Sequence, residues 1–102
     1  MRDLSREQLL AELRALKPQF ERKGVLHMSM FGSRARGDNR PDSDVDLVLD
    51  IEAGRKFSLL DAISVGHVVE DEIGLESSVV VLDKYAPTEF VESLKRDRVA
   101  VF

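Results

Sequence analysis

The 102-residue chain contains no cysteine, which excludes disulfide bridges and thiolate metal sites. No apolar stretch comes near the roughly 20 residues that a membrane-spanning helix requires. The opening residues MRDLSREQ hold no apolar core of the kind a secretion signal carries. A cytoplasmic location and no membrane partner are the default expectations. Positive charge is also scarce: 15 Lys and Arg stand against 19 Asp and Glu, a net charge of -4. A free-standing nucleic-acid binder ordinarily presents a basic face, so direct nucleic-acid binding is not expected. What remains is 43% apolar and 33% charged residues, ordinary for a soluble globular protein. The length suits one domain with one core, residues 1–102, and leaves no room for a separate substrate domain.

Hydrophobic spacing orders the elements. Ser5 to Lys23 reads as a helix, opened by a Ser5–Gln8 capping box and carrying Leu9, Leu13, Leu16 and Phe20 at helical intervals. Pro18 should weaken or kink its last turn. Val25 to Phe31 reads as a strand, apolar enough on both faces to predict a central strand covered on both sides. Asp38 to Ser43 is loop, and Asp44 to Ile51 is the second strand. Ser58 can cap a helix that runs to Ile73, with Asp61 at its third position and Gly74 past its end. Its expected apolar stripe is Leu59, Leu60, Ile63, Val68, Val69 and Ile73. Glu76 to Leu82 gives a third strand, Pro87 opens a short helix to Arg96, and Val99 to Phe102 adds a last short strand. The order predicts a two-layer α/β (α+β) domain, a small mixed β-sheet with helices packed on it.

Residues 32 to 46, GSRARGDNRPDSDVD, hold the chemistry. Asp44 and Asp46 lie two apart on the expected second strand, so their side chains point the same way and Val45 and Leu47 face the core. Two carboxylates so placed can hold a pair of divalent ions for phosphoryl or nucleotidyl transfer. Mg²⁺ is the expected ion, because the ligands are hard oxygens. An isolated D-x-D fits a pair of solvated strand aspartates equally well, and Gly32-Ser33 breaks that tie. The turn follows a buried strand and precedes a possible helical turn from Ser33 to Arg36. Its backbone N–H groups, with the Ser33 hydroxyl, can bind the phosphates of a nucleotide triphosphate, and Gly32 permits close approach. Arg34 and Arg36 can add charge at the phosphates, or their stems can cover the sheet edge. Gly37 serves turn geometry. His27 and His67 pair with no nucleophile and read as structural. Glu70, Asp71 and Glu72 form an acidic helix end able to meet a basic partner.

The string Gly32-Ser33-Arg34-Ala35-Arg36-Gly37, followed by Ser43-Asp44-Val45-Asp46-Leu47, resembles the minimal nucleotidyltransferase family of the DNA polymerase beta-like nucleotidyltransferase superfamily. The resemblance implies that Gly32 and Ser33 hold the nucleotide phosphates and that Asp44 and Asp46 bind the metals. It also implies a third carboxylate on the next strand, which ligates one metal and helps deprotonate the attacking hydroxyl. Counting back from Pro87 places that position at Ser78, which can neither carry the charge nor act as an efficient base. Glu76, two residues earlier, is the candidate replacement. Members of the family are commonly antitoxins of HEPN-domain ribonuclease toxins, and some adenylylate a toxin tyrosine. The resemblance therefore implies transfer of AMP from ATP, with Mg²⁺, to a hydroxyl on such a partner. The alternative is an antitoxin that acts by contact alone, with Ser78 marking a weakened site. A small-molecule transferase ranks last, since that type carries an added domain for its acceptor.

Overall fold

The computed structural model describes residues 4–52, 54, 56–82, 89, 92 and 96–102. Ser5 caps helix α1, Arg6–Ala15, reciprocally: its hydroxyl accepts from the Gln8 backbone N–H, and the Gln8 side chain accepts from the Ser5 N–H. The expected single helix to Lys23 is two. Helix α1 stops at Leu16, and α2, Lys17–Arg22, restarts with Pro18 in its first turn. Proline has no N–H to return to the carbonyl four residues back, so the break falls before Pro18 rather than in the last turn.

Strand β1, Val25–Phe31, pairs antiparallel with β2, Val45–Ile51, and with the two-residue β4, Val99–Ala100. Strand β3, Ser77–Val81, lies parallel to β2. The sheet order is β3-β2-β1-β4, so β1 is interior as expected, and the sheet is mixed. Ser29 alternates away from Met28 and Met30 and is 1% exposed, so the middle of β1 is buried on both faces, as expected. The register slips by one residue between Val25 and His27, which interrupts the two-residue alternation. Val25, Met28 and Met30 enter the core, while Leu26 and His27 are exposed. Met28, Met30, Val45, Leu47 and Leu49 share one core with α1, α2 and helix α4, Leu59–Ile73. Helices α1, α2 and α4 therefore pack on one face of the sheet. Asp46, Val48 and Asp50 point to the other by strand alternation.

Helix α4 has the expected Ser58–Asp61 capping box and ends on Gly74 in the left-handed region. Its buried stripe differs from the expected one. Ala62, Val65, Val69 and Ile73 face the core, whereas Leu59 is 78%, Leu60 76% and Ile63 46% exposed. The β2–α4–β3 crossover fixes the helix phase, and it seats the smaller Ala62 and Val65 against the sheet. At the C-terminus, Phe102 stacks on the fully buried Phe20 with centroids 6.3 Å apart. Arg14 donates to the carbonyls of Val101 and Ala100 at 2.7 and 3.0 Å. The helix expected from Pro87 to Arg96 lies largely outside the described residues; Glu89, Glu92 and Arg96 are helical. No helix among the described residues is long and apolar enough to cross a membrane.

Candidate active site

Strand β1 ends directly in helix α3, Gly32–Arg36, the expected turn extended by one residue. Gly37 closes it in the left-handed region, and the N–H groups of Gly37 and Asp38 both donate to the Ser33 carbonyl. From α1, Arg6 donates to the Ala35 carbonyl at 3.1 Å, which ties α3 to the helical layer. Phe31, the residue before Gly32, pairs with Asp46 across β1 and β2. The result is close approach of the glycine turn to the aspartate. Gly32 has φ +73°, and a Cβ built there would overlap Asp46 Oδ2. Both the backbone angle and the space at this position exclude a larger side chain.

Asp46 is partly buried on β2, with Val45 and Leu47 fully buried on the opposite side, as the alternation predicts. Asp44 stands one residue ahead of the strand and is exposed. It lines a cleft with Glu76, whose carbonyl accepts from the Val45 N–H at 2.9 Å. Ser78 lies opposite Asp46 in the parallel β2–β3 register. Glu76 instead precedes β3 and is exposed beside Asp44. Among the described residues no three His, Asp or Glu side chains converge closely enough to hold one metal ion. The structure thus brings Gly32, Ser33 and Asp46 together at one end of the β1–β2 pair and sets Asp44 and Glu76 at the cleft beside it.

The two arginines have separate fates. Arg34 is 2% exposed, and its guanidinium donates to the carbonyls of Ser43 at 3.0 Å and Pro41 at 3.2 Å. It therefore covers neither a sheet edge nor a phosphate: it fixes the loop that delivers Asp44. Sequence reasoning missed this role because Arg34 and Arg36 look alike in the string, and only the phase of α3 separates them. We expect Arg34→Met to cost about 3 kcal/mol, since two hydrogen bonds from a buried charged donor are lost. Urea unfolding checks this, and a loss under about 1 kcal/mol would remove the clamp from the account.

Arg36 is exposed and pairs with Asp38 at 3.1 Å and Asp97 at 3.5 Å. The Asp38 hydrogen bond and charge hold it above the ordinary arginine pKa, so it stays charged. Exposed pairs of this kind are weak and exchange readily for a better anion. Its field reaches Asp46, where it opposes two larger influences: burial and the Asp44 charge both push the Asp46 carboxyl up. Folding therefore tightens the hold of Asp46 on its proton. The corresponding stability is present below the unfolded-chain carboxylate pKa and is lost as pH rises through the folded one. Asp46→Asn should accordingly raise the Tm of the metal-free protein at neutral pH, with the gain shrinking as pH falls through the carboxylate range. Thermal melts in a chelator measure this; a lower Tm for the variant at neutral pH would contradict it.

Residues 7–101 match the model of the family described as "Nucleotidyltransferase domain". The chain belongs to that family. This nucleotidyltransferase is 37% identical over 79 residues to protein adenylyltransferase MntA of Thermococcus cleftensis, covering 76% of this chain and 78% of the relative. A solved structure described as a minimal nucleotidyltransferase superposes with a TM-score of 0.79 at 29% identity, covering 97% of this chain and 98% of that one. A complex of an MNT antitoxin with a tri-AMPylated HEPN toxin of Shewanella oneidensis shares the fold. Its TM-score is 0.67 at 11% identity, with 95% of this chain and 71% of that one covered. The donor set of this nucleotidyltransferase fits a hard divalent cation: Asp44 and Asp46 repel one another, and a shared cation relieves that repulsion.

Proposed function

We propose that residues 1–102 act as one minimal nucleotidyltransferase domain of the cytoplasm that transfers AMP from ATP to a hydroxyl on a protein partner. Gly32, Ser33 and Arg36 hold the phosphates, and Asp44 and Asp46 hold Mg²⁺. The partner in this reading is a HEPN-domain ribonuclease toxin, with this chain as its antitoxin. The observation that carries the reading is the close approach of Gly32 to the Asp46 carboxylate, which sets the backbone of the glycine turn directly beside a candidate metal ligand. The adenylyltransferase name of the Thermococcus relative and the AMPylated toxin in the Shewanella complex support the choice of AMP and of partner.

In the reaction the acceptor oxygen bonds to the α-phosphorus of ATP, the bond from that phosphorus to pyrophosphate breaks, and the hydroxyl proton leaves to a base. The bound divalent cation supplies the positive charge that phosphate oxygens need. Ser78, opposite Asp46, offers no carboxylate there, so Glu76 beside Asp44 is the base in this proposal. Glu76→Gln should slow turnover by about 10²-fold with ATP binding retained. Equal turnover in the variant would remove Glu76 from the mechanism.

The same Ser78 favours a second reading, an antitoxin that neutralises by contact with a weakened catalytic site. The toxin's ribonuclease activity separates the two after incubation with this protein, with and without MgATP. Neutralisation that requires ATP supports transfer. Full neutralisation without nucleotide overturns it in favour of contact.

A further inference from the structure

Two cavities sit side by side between α4 and the start of β3, of about 370 and 520 Å³. They share Asp44, Glu70 and Glu76. The first continues along α4 to Leu59 and Ile63 and is also lined by Val79 of β3. Leu59 and Ile63 are apolar groups that this fold leaves exposed, although the helix could have turned them inward. The second adds Asp42, so the joint groove is apolar at one end and strongly acidic at the other. Neither cavity is lined by Lys or Arg among the described residues; the first holds one imidazole, His67. On its floor, Ser77 Oγ is buried without a hydrogen-bond partner among the described residues. Gly66 leaves the space above that oxygen, since a Cβ there would stand 3.3 Å from it.

Charge decides the occupant. With Asp42, Glu70 and Glu76 beside Asp44, the rim attracts a cationic group, and among the described residues no three of its carboxylates converge on one metal ion. A basic side chain next to an apolar one satisfies both ends. Strand β3 is an edge strand of the described sheet, along which an extended peptide can lie.

We propose that this groove docks a polypeptide segment of the partner in which an apolar residue sits on Leu59 and Ile63 and a neighbouring basic residue meets Glu70 and the acidic rim. The segment's acceptor hydroxyl is thereby delivered next to Asp44. The groove's purpose rests on the transferase reading above, whereas its binding chemistry does not.

The test uses a fluorescent synthetic peptide of alternating leucine and lysine around one tyrosine, and a counterpart with glutamate in place of lysine. Binding is read by anisotropy at physiological salt, without nucleotide. The basic peptide should bind the wild-type protein and the acidic one should not. Leu59→Glu with Ile63→Glu, and separately Glu70→Lys, should each weaken binding of the basic peptide about tenfold or more. Glu7→Gln with Glu21→Gln, on α1 and α2 away from either cavity, should leave it unchanged. ATP binding at the wild-type level in each variant confirms that the fold is intact. Equal binding of both peptides, or unchanged binding in the groove variants, overturns the proposal. So does an equal loss in the α1–α2 variant. Intact groove binding with no AMP transfer to any protein would remove the transferase reading alone; transfer without groove binding would remove the groove alone.

Discussion

Replacing Asp44 and Asp46 together by asparagine should reduce AMP transfer by about 10³-fold or more, the rate equivalent of the several kcal/mol that metal-held charge contributes to such transition states. The two carboxylates differ in setting. Asp46 is held against the glycine turn, and Asp44 is exposed at the cleft, yet each carries the charge that draws a cation to the other. The single Asp46→Asn change removes the more constrained carboxylate, so it should approach the double variant in effect, and the two losses should fall well short of adding. The double variant should keep its fold, because Asp46 ionisation opposes folding of the metal-free protein. Radiolabel transfer from α-labelled ATP measures the loss. Retention of a tenth or more of the wild-type rate would place the metal ligands elsewhere.

Gly32→Ala should be nearly as damaging, for a different reason. The left-handed backbone at Gly32 costs a non-glycine residue about 1–2 kcal/mol. The added methyl also overlaps Asp46 Oδ2, so the carboxylate must move, and displacements of about 1 Å at a reacting centre cost on the order of 10²-fold in rate. Gly37 supplies the control. It has a similar φ of +83° with nothing within 4 Å of a built Cβ. Gly37→Ala should therefore share the stability loss of about 1–2 kcal/mol while turnover stays close to wild type. Equal turnover losses in the two variants would mean that backbone strain alone matters and that the Gly32–Asp46 contact has no special place.

The string GSRARG…SDVDL was enough to predict that the glycine turn and Asp46 meet, because the contact is local. Strand β1 feeds α3 without a gap, and the β1–β2 hairpin brings Phe31 opposite Asp46, so residues near in sequence meet in space. Strand β1, the capping boxes at Ser5 and Ser58, and the mixed sheet were legible on the same ground. What the sequence hid depends on phase and register. Arg34 and Arg36 differ only in which side of a five-residue helix they leave. Leu59, Leu60 and Ile63 have the composition of a core stripe, but the crossover to β3 turns Ala62 and Val65 inward instead. The slip at Val25 and His27 leaves no mark in an apolar run that alternates equally well either way. Ser78 was placed by counting, and the β2–β3 register sets it opposite Asp46.

The most direct test of the central claim is intact-mass analysis of a co-expressed HEPN-domain partner after incubation with MgATP. It is run with this protein, with the Asp44→Asn, Asp46→Asn variant, and without either. The account predicts a gain of whole AMP units that appears with the wild-type protein alone. An unchanged partner mass in a stable complex, or an equal gain with the double variant, would contradict it.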